Sequence, residues 1–94
     1  MKIDDPLCGY LAAQFADADL LGQTDEQAAA DYVSRETRAA YQEVLDQGRA
    51  VLTAPSLDWR RIGDYANRYF KNEDEARRWL TRMMDVLEAA LRKV

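Results

Sequence analysis

The apolar residues of this chain recur mostly at intervals of three and four, the spacing that places side chains on one face of an α-helix. The spacing predicts five amphipathic helices. They cover about 6–16, 25–33, 35–53, 57–69 and 73–94. No segment alternates apolar and polar residues in the manner of a strand, and no hairpin dipeptide occurs. We therefore predict an all-α fold, a single compact bundle of about five helices in which residues 1–94 form a single helical domain.

Local polar residues predict where these helices begin. Thr24 with Gln27 three positions later forms a capping-box pattern before the second helix, and Ser34 is placed to cap the third. Asn72 precedes three consecutive carboxylates, which favour a helix N-terminus, so the fifth helix is predicted to begin at Glu73. The second and third helices keep nearly the same phase, and one long helix across both is an open alternative.

Two further predictions concern the core. The helical spacing places Trp59, Tyr65 and Tyr69 on the inward face of the fourth helix, and it makes Trp79 a core residue of the fifth. Gly48 lies on the apolar stripe of the third helix, although glycine inside a helix costs about 1 kcal/mol relative to alanine. We infer that another helix passes close to Gly48.

Charge is distributed unevenly along the chain. Residues 1–34 contain seven acids and one base, a net charge of −6, whereas residues 35–94 contain ten acids and twelve bases, a net charge of +2. Such an acidic region repels nucleic acid and attracts a basic protein. We predict that it carries the partner-binding residues, which are Asp17, Asp19, Asp25, Glu26, Asp31 and Tyr32. The alternative is that these acids are ordinary solvated residues at helix ends and turns.

Residues 17–28 partly match a calcium-binding EF-hand loop, but two required ligands are missing. Leu21 stands where the motif needs a side-chain oxygen, and Ala28 stands where it needs the bidentate glutamate. Cys8 is the only cysteine and the chain has no histidine, which excludes thiolate zinc sites and catalysis by imidazole. We therefore expect no metal, no cofactor and no enzymatic activity.

The longest stretch without a charged residue covers 6–16, well short of the roughly 18 apolar residues that a membrane span needs. Asp4 and Asp5 precede this stretch, where a secretory signal would carry basic residues. We expect a cytoplasmic protein with no membrane partner.

The order of the apolar motifs resembles that of a known family. The motifs are Leu7-x-x-Tyr10-Leu11-x-x-x-Phe15, an acidic loop, a short helix with Tyr32, a longer amphipathic helix and a final helix with Trp79-Leu80. From about Leu7 to Leu91 the chain resembles the small helical immunity proteins of bacterial contact-dependent growth inhibition systems. The resemblance implies a non-enzymatic inhibitor that binds the C-terminal toxin domain of a cognate secreted effector, often a nuclease with a basic cleft.

Two other functions remain open. The first is a small helical regulator that contacts DNA or RNA through basic residues of the fourth and fifth helices, because aromatic and basic residues interleave there. These basic residues are Arg60, Arg61, Arg68, Lys71, Arg77 and Arg78. The carboxylates that begin the fifth helix disfavour docking of that helix on DNA phosphates. The second is a scaffold that only dimerises, and the sequence does not determine the oligomeric state.

Overall fold

The computed structural model describes residues 5–16, 18 and 20–94. Within them the chain forms five α-helices, and no β-strand occurs in this part of the chain, so the all-α prediction is confirmed. The helices are α1 Asp5–Phe15, α2 Asp25–Ala30, α3 Arg38–Thr53, α4 Trp59–Ala66 and α5 Glu73–Arg92. The radius of gyration of 12.3 Å agrees with the value of about 12.4 Å expected for a compact chain of this length.

The core forms where α3 and α5 pack together and α1 packs against α3 and α4. The short α2 packs against α1 and α5. The apolar stripes of these helices supply the largest fully buried side chains, as their spacing of three and four requires. These side chains are Leu7, Leu11, Phe15, Ile62, Leu80, Met83, Met84 and Leu87. No helix in the described residues is both long and apolar enough to span a lipid bilayer.

The predicted close approach at Gly48 is confirmed. A Cβ atom added to Gly48 would collide with the Sδ atom of Met84 on α5, and Met84 is itself fully buried. Glycine therefore leaves the space that the Met84 side chain occupies between α3 and α5. This contact accounts for a residue with a poor helix propensity on a core stripe.

The second and third predicted helices are separate helices, and the alternative of one long helix is wrong. The carbonyl of Ala29 accepts a hydrogen bond from the Tyr10 hydroxyl at 2.6 Å, and that of Ala28 accepts one from the Gln14 amide at 2.9 Å. Because α1 satisfies these carbonyls, α2 ends at Ala30 rather than at residue 33. Burial raises the pKa of Tyr10, which keeps its hydroxyl protonated as a donor.

The third helix begins later than predicted. Asp31 is extended and Tyr32 has a positive φ of 63°, so the chain is not helical at these two residues, which the spacing assigned to the second helix. Ser34 does not cap α3 as predicted. Its backbone N–H instead donates to the Thr37 hydroxyl at 2.9 Å, which forms a turn before the helix. Arg38 is the first residue of α3.

The fourth helix is shorter than predicted. It ends at Ala66 because Asn67 adopts a left-handed conformation with a φ of 55°, and the Arg68 N–H donates to the Gly63 carbonyl at 2.9 Å. The side chain of Tyr69 is consequently 87% exposed. Tyr65 is also exposed, so the prediction that both tyrosines point inward is wrong.

Trp59 and Trp79 are both half-buried and pack against the core. The ring centroid of Trp79 lies 5.0 Å from that of Phe15 and 5.5 Å from that of Phe70. Trp79 therefore joins α1 to the segment that precedes α5, although it stays partly exposed to solvent.

The capping predictions for α2 and α5 are confirmed. Thr24 and Gln27 form the complete capping box at the start of α2. The Asn72 side chain accepts a hydrogen bond from the Glu75 N–H at 2.9 Å, and α5 begins at Glu73. Local side-chain chemistry is sufficient to set both of these helix N-termini.

Candidate functional site

Within the acidic region, a hydrogen-bonded turn connects α1 to α2. The carbonyl of the buried Ala18 accepts hydrogen bonds from the backbone N–H groups of Leu21 at 3.1 Å and Gln23 at 3.0 Å. Gly22 provides the positive φ of 72° that the turn requires. The turn presents Leu20 and Leu21 to solvent, with 85% and 71% of their surfaces exposed. The predicted partner residues Asp17 and Asp19 lie outside the described residues.

Asp25 links three parts of the fold. One carboxylate oxygen accepts a hydrogen bond from Arg68 at 2.7 Å, and the other accepts one from the indole N–H of Trp79 at 2.8 Å. Burial alone would raise the pKa of Asp25, but the hydrogen bonds from Arg68 and Trp79, with the charges of Arg68 and Arg82, hold this pKa below its usual value. The structure thus gives Asp25 an internal role, and its contact with a partner stays a prediction.

Glu26 and Asp31 also interact within the protein. Glu26 forms an ion pair with Arg82 of α5 at the surface. Asp31 accepts a hydrogen bond from the Gln23 side chain at 2.9 Å and one from the Tyr32 backbone N–H at 3.1 Å. These bonds hold the start of the α2–α3 connection against the turn that presents the two leucines.

Tyr32 is 73% exposed and follows directly after Asp31. Its backbone carbonyl accepts a hydrogen bond from the Thr37 hydroxyl at 2.7 Å, so its position is fixed even though its side chain points to solvent. The sequence-based prediction placed Tyr32 among the partner-binding residues, and the structure makes its ring available for such a contact.

The connection between α4 and α5 contacts the end of α1 and the start of α2. The Asn67 amide donates to the carbonyl of Ala16 at 3.3 Å, and Arg68 pairs with Asp25. Tyr69 follows these two residues. The hydrogen bonds therefore connect the segments that carry four of the five exposed large apolar side chains in the described residues, namely Leu20, Leu21, Tyr32 and Tyr69.

Sequence reasoning did not identify Leu20 or Leu21 as candidate site residues. It noted Tyr69 among the aromatic residues that interleave with basic ones but placed its side chain on the inward face of the fourth helix. The two adjacent leucines carried a usable signal, because they stand beside Gly22 among acidic residues and outside any helical stripe. Tyr69 carried no such signal, since its exposure depends on where α4 ends.

A groove of about 460 Å³ lies beside Tyr69. Its lining residues include Trp59, Arg60, Asp64, Tyr69, Phe70 and Lys71. The guanidinium of Arg60 lies 4.8 Å from the centre of the Trp59 ring, a cation–π contact. The groove thus combines aromatic rings with basic side chains.

The six basic residues of the nucleic-acid alternative divide into two groups. Arg68, Arg77 and Arg78 form ion pairs with Asp25, Glu73 and Asp74 respectively. Arg77 also donates to the Leu52 carbonyl at 2.6 Å and so satisfies the C-terminus of α3. No ion pair within the described residues involves Arg60, Arg61 or Lys71, which leaves these three cations available at or near the groove.

The turn and groove present exposed apolar and aromatic side chains together with charged ones. Among the residues that the structure describes, no three acidic or cysteine side chains come together where they could hold a metal ion. Cys8 is buried within α1. Comparison of the chain with models of protein families, with curated proteins and with solved structures finds no match.

Proposed function

We propose that the protein is an immunity protein, a non-enzymatic inhibitor that binds the C-terminal toxin domain of a contact-dependent growth inhibition effector. The observation that supports this proposal is that a single region of the chain is both acidic and exposes apolar side chains. Residues 1–34 carry a net charge of −6, and the turn within them presents Leu20 and Leu21 to solvent. A toxin that is a nuclease has a basic substrate cleft, to which such a region is complementary.

Charge and apolar contact have separate roles in this proposal. The acidic region attracts the basic toxin from a distance and repels the nucleic acid that competes for the cleft. Buried apolar and aromatic contacts then slow dissociation, because a few such residues supply most of the binding energy of an interface. The inhibitor needs no catalytic group for either role.

Recovery of the partner from the source bacterium tests the proposal. The tagged protein is purified from a lysate, bound proteins are identified by mass spectrometry, and the C-terminal domain of any recovered effector is produced recombinantly. We expect a 1:1 complex with this domain and survival of cells that co-produce both proteins. Absence of an effector domain, or toxicity that the protein leaves unchanged, contradicts the proposal.

A regulator that binds single-stranded nucleic acid is the second candidate function, because Tyr69 is exposed beside Arg60 and Lys71. Asp64 lines the same groove and reduces its positive charge. Fluorescence anisotropy with labelled single-stranded DNA and RNA oligonucleotides distinguishes this candidate. Binding that weakens steeply with added salt would support the regulator in place of the immunity protein.

A further inference from the structure

We infer that Leu20, Leu21, Tyr32 and Tyr69 form the apolar anchor of the toxin interface, and that the toxin meets them with an apolar patch bordered by basic residues. We call these four residues the anchor surface. The inference rests on the proposed function and adds to it the side chains that hold the complex together.

The exposure of the anchor surface is the first argument. Between 71% and 87% of the surface of each of the four residues is accessible to solvent. Single exposed apolar residues are ordinary, but a group of them on neighbouring segments marks an interaction surface. The hydrogen bonds from Gln23 to Asp31 and from Asn67 to Ala16 bring these segments together.

The second argument is that the backbone of the anchor surface is already ordered. The leucine turn is closed by two hydrogen bonds to the Ala18 carbonyl. Tyr32 is held by hydrogen bonds at its N–H and its carbonyl, in a left-handed conformation that is uncommon for a residue with a bulky side chain. A fixed backbone lowers the entropy that is lost on binding. Strain retained at an exposed aromatic residue is typical of functional sites.

Charge determines which partner fits this surface. A second copy of the chain would bring the acid-rich segments 1–34 of two molecules against each other, which repulsion opposes. A basic protein gains attraction instead, since three of the four anchor residues lie within the acidic region and Asp31 adjoins Tyr32. We therefore assign the surface to a basic toxin domain and not to self-association.

The test compares variants of the anchor surface in complex with the effector domain that the wild-type protein recovers. Leu20→Ser with Leu21→Ser forms one variant, and Tyr69→Ser forms another. Tyr65→Ser is the matched control, because Tyr65 is exposed but lies within α4 and not on a connection between helices. Dissociation is measured by biolayer interferometry, and circular dichroism checks that each variant keeps its thermal midpoint.

We expect both anchor variants to dissociate about 10- to 100-fold faster, while the control dissociates at the wild-type rate. A wild-type complex whose anchor variants dissociate no faster overturns the inference and leaves the proposed function standing. A wild-type protein that binds no effector domain overturns both. A wild-type dimer that the double serine variant converts to a monomer assigns the surface to a second copy and also overturns the inference.

Discussion

At the scale of single residues, Gly9 and Gly63 both lie inside helices but differ in what surrounds them. A methyl group placed on Gly63 would lie 2.6 Å from the backbone carbonyl oxygen of Arg68, whereas one placed on Gly9 would meet nothing within 4 Å. The Arg68 carbonyl belongs to the turn that ends α4, so it cannot move without disturbing that turn.

We therefore expect Gly63→Ala to lower the free energy of unfolding by about 1 to 3 kcal/mol. Gly9→Ala is the matched control and should raise this free energy by up to about 1 kcal/mol, because alanine has the better helix propensity. Urea denaturation followed by circular dichroism measures both. A Gly63→Ala protein as stable as the wild type would show that the turn after α4 can shift at little cost.

The two tyrosines and Gly48 show what sequence determines at this scale. Gly48 was interpreted correctly because its position on an apolar stripe is a local property. Tyr65 and Tyr69 were not. Tyr69 lies beyond the helix end that the left-handed residue Asn67 sets, and asparagine at this position is a weaker helix-stop signal than glycine. Tyr65 lies within α4 and is nevertheless 40% exposed. The position where a helix ends decides the direction of every side chain beyond it.

At the scale of elements, Asp25 joins α2 to α5 and to the α4–α5 connection. Its pKa is held below the usual value in the folded protein, so as pH falls the unfolded state takes up a proton first. The stability that Asp25 contributes is therefore complete above the ordinary aspartate pKa of about 4 and is lost as pH falls through the lower folded pKa.

We expect Asp25→Asn to lower the free energy of unfolding at neutral pH by about 1 to 3 kcal/mol, because Arg68 loses its charged partner. The difference from the wild type should shrink as the pH falls below about 4, where the wild type loses the same interaction. Asp74→Asn is the control, since its ion pair with Arg78 is exposed and such pairs contribute less than about 1 kcal/mol. A pH-independent difference for Asp25→Asn would contradict the pKa assignment.

The start of α5 and the end of α2 show the limits of sequence reasoning about elements. Asn72 and the carboxylates after it act within their own helix, so the boundary at Glu73 could be predicted. The end of α2 depends on hydrogen bonds from Tyr10 and Gln14, which belong to α1. A boundary that tertiary contacts determine leaves no local pattern.

At the scale of the whole molecule, charge should govern how fast the toxin associates. We expect Asp17→Lys with Asp19→Lys to slow association with the toxin domain at low salt by about tenfold or more and to have little effect at high salt. Asp25 is left unchanged, because its reversal to lysine would place two cations together at the Arg68 contact. Stopped-flow mixing at several salt concentrations measures the association rate.

Glu43→Lys with Asp46→Lys on α3 is the matched control, because both residues are exposed acids outside the acidic region. Association that slows only in the control would move the interface to α3. Association rates that are equal in both variants and independent of salt would show that charge does not govern how fast the toxin associates.

The predictable part of the whole molecule is its helical composition and its charge asymmetry, since both follow from residue counts and spacing. The contact of the α4–α5 connection with the chain on both sides of the leucine turn was not predictable, because it depends on the contacts of Asn67 with Ala16 and of Arg68 with Asp25. A candidate site assembled from separate segments needs the fold before it can be recognised.

The hydrogen bond between Trp79 and Asp25 places an intrinsic fluorophore at the contact between α2 and α5. The chain has two tryptophans, and Trp59→Phe would leave Trp79 as the single emitting indole. Its emission depends on the polarity and bonding around its ring, so any event that loosens α2 from α5 would change the spectrum. Toxin binding, acid unfolding and denaturant unfolding could then each be followed at the contact between α2 and α5 without attaching a dye.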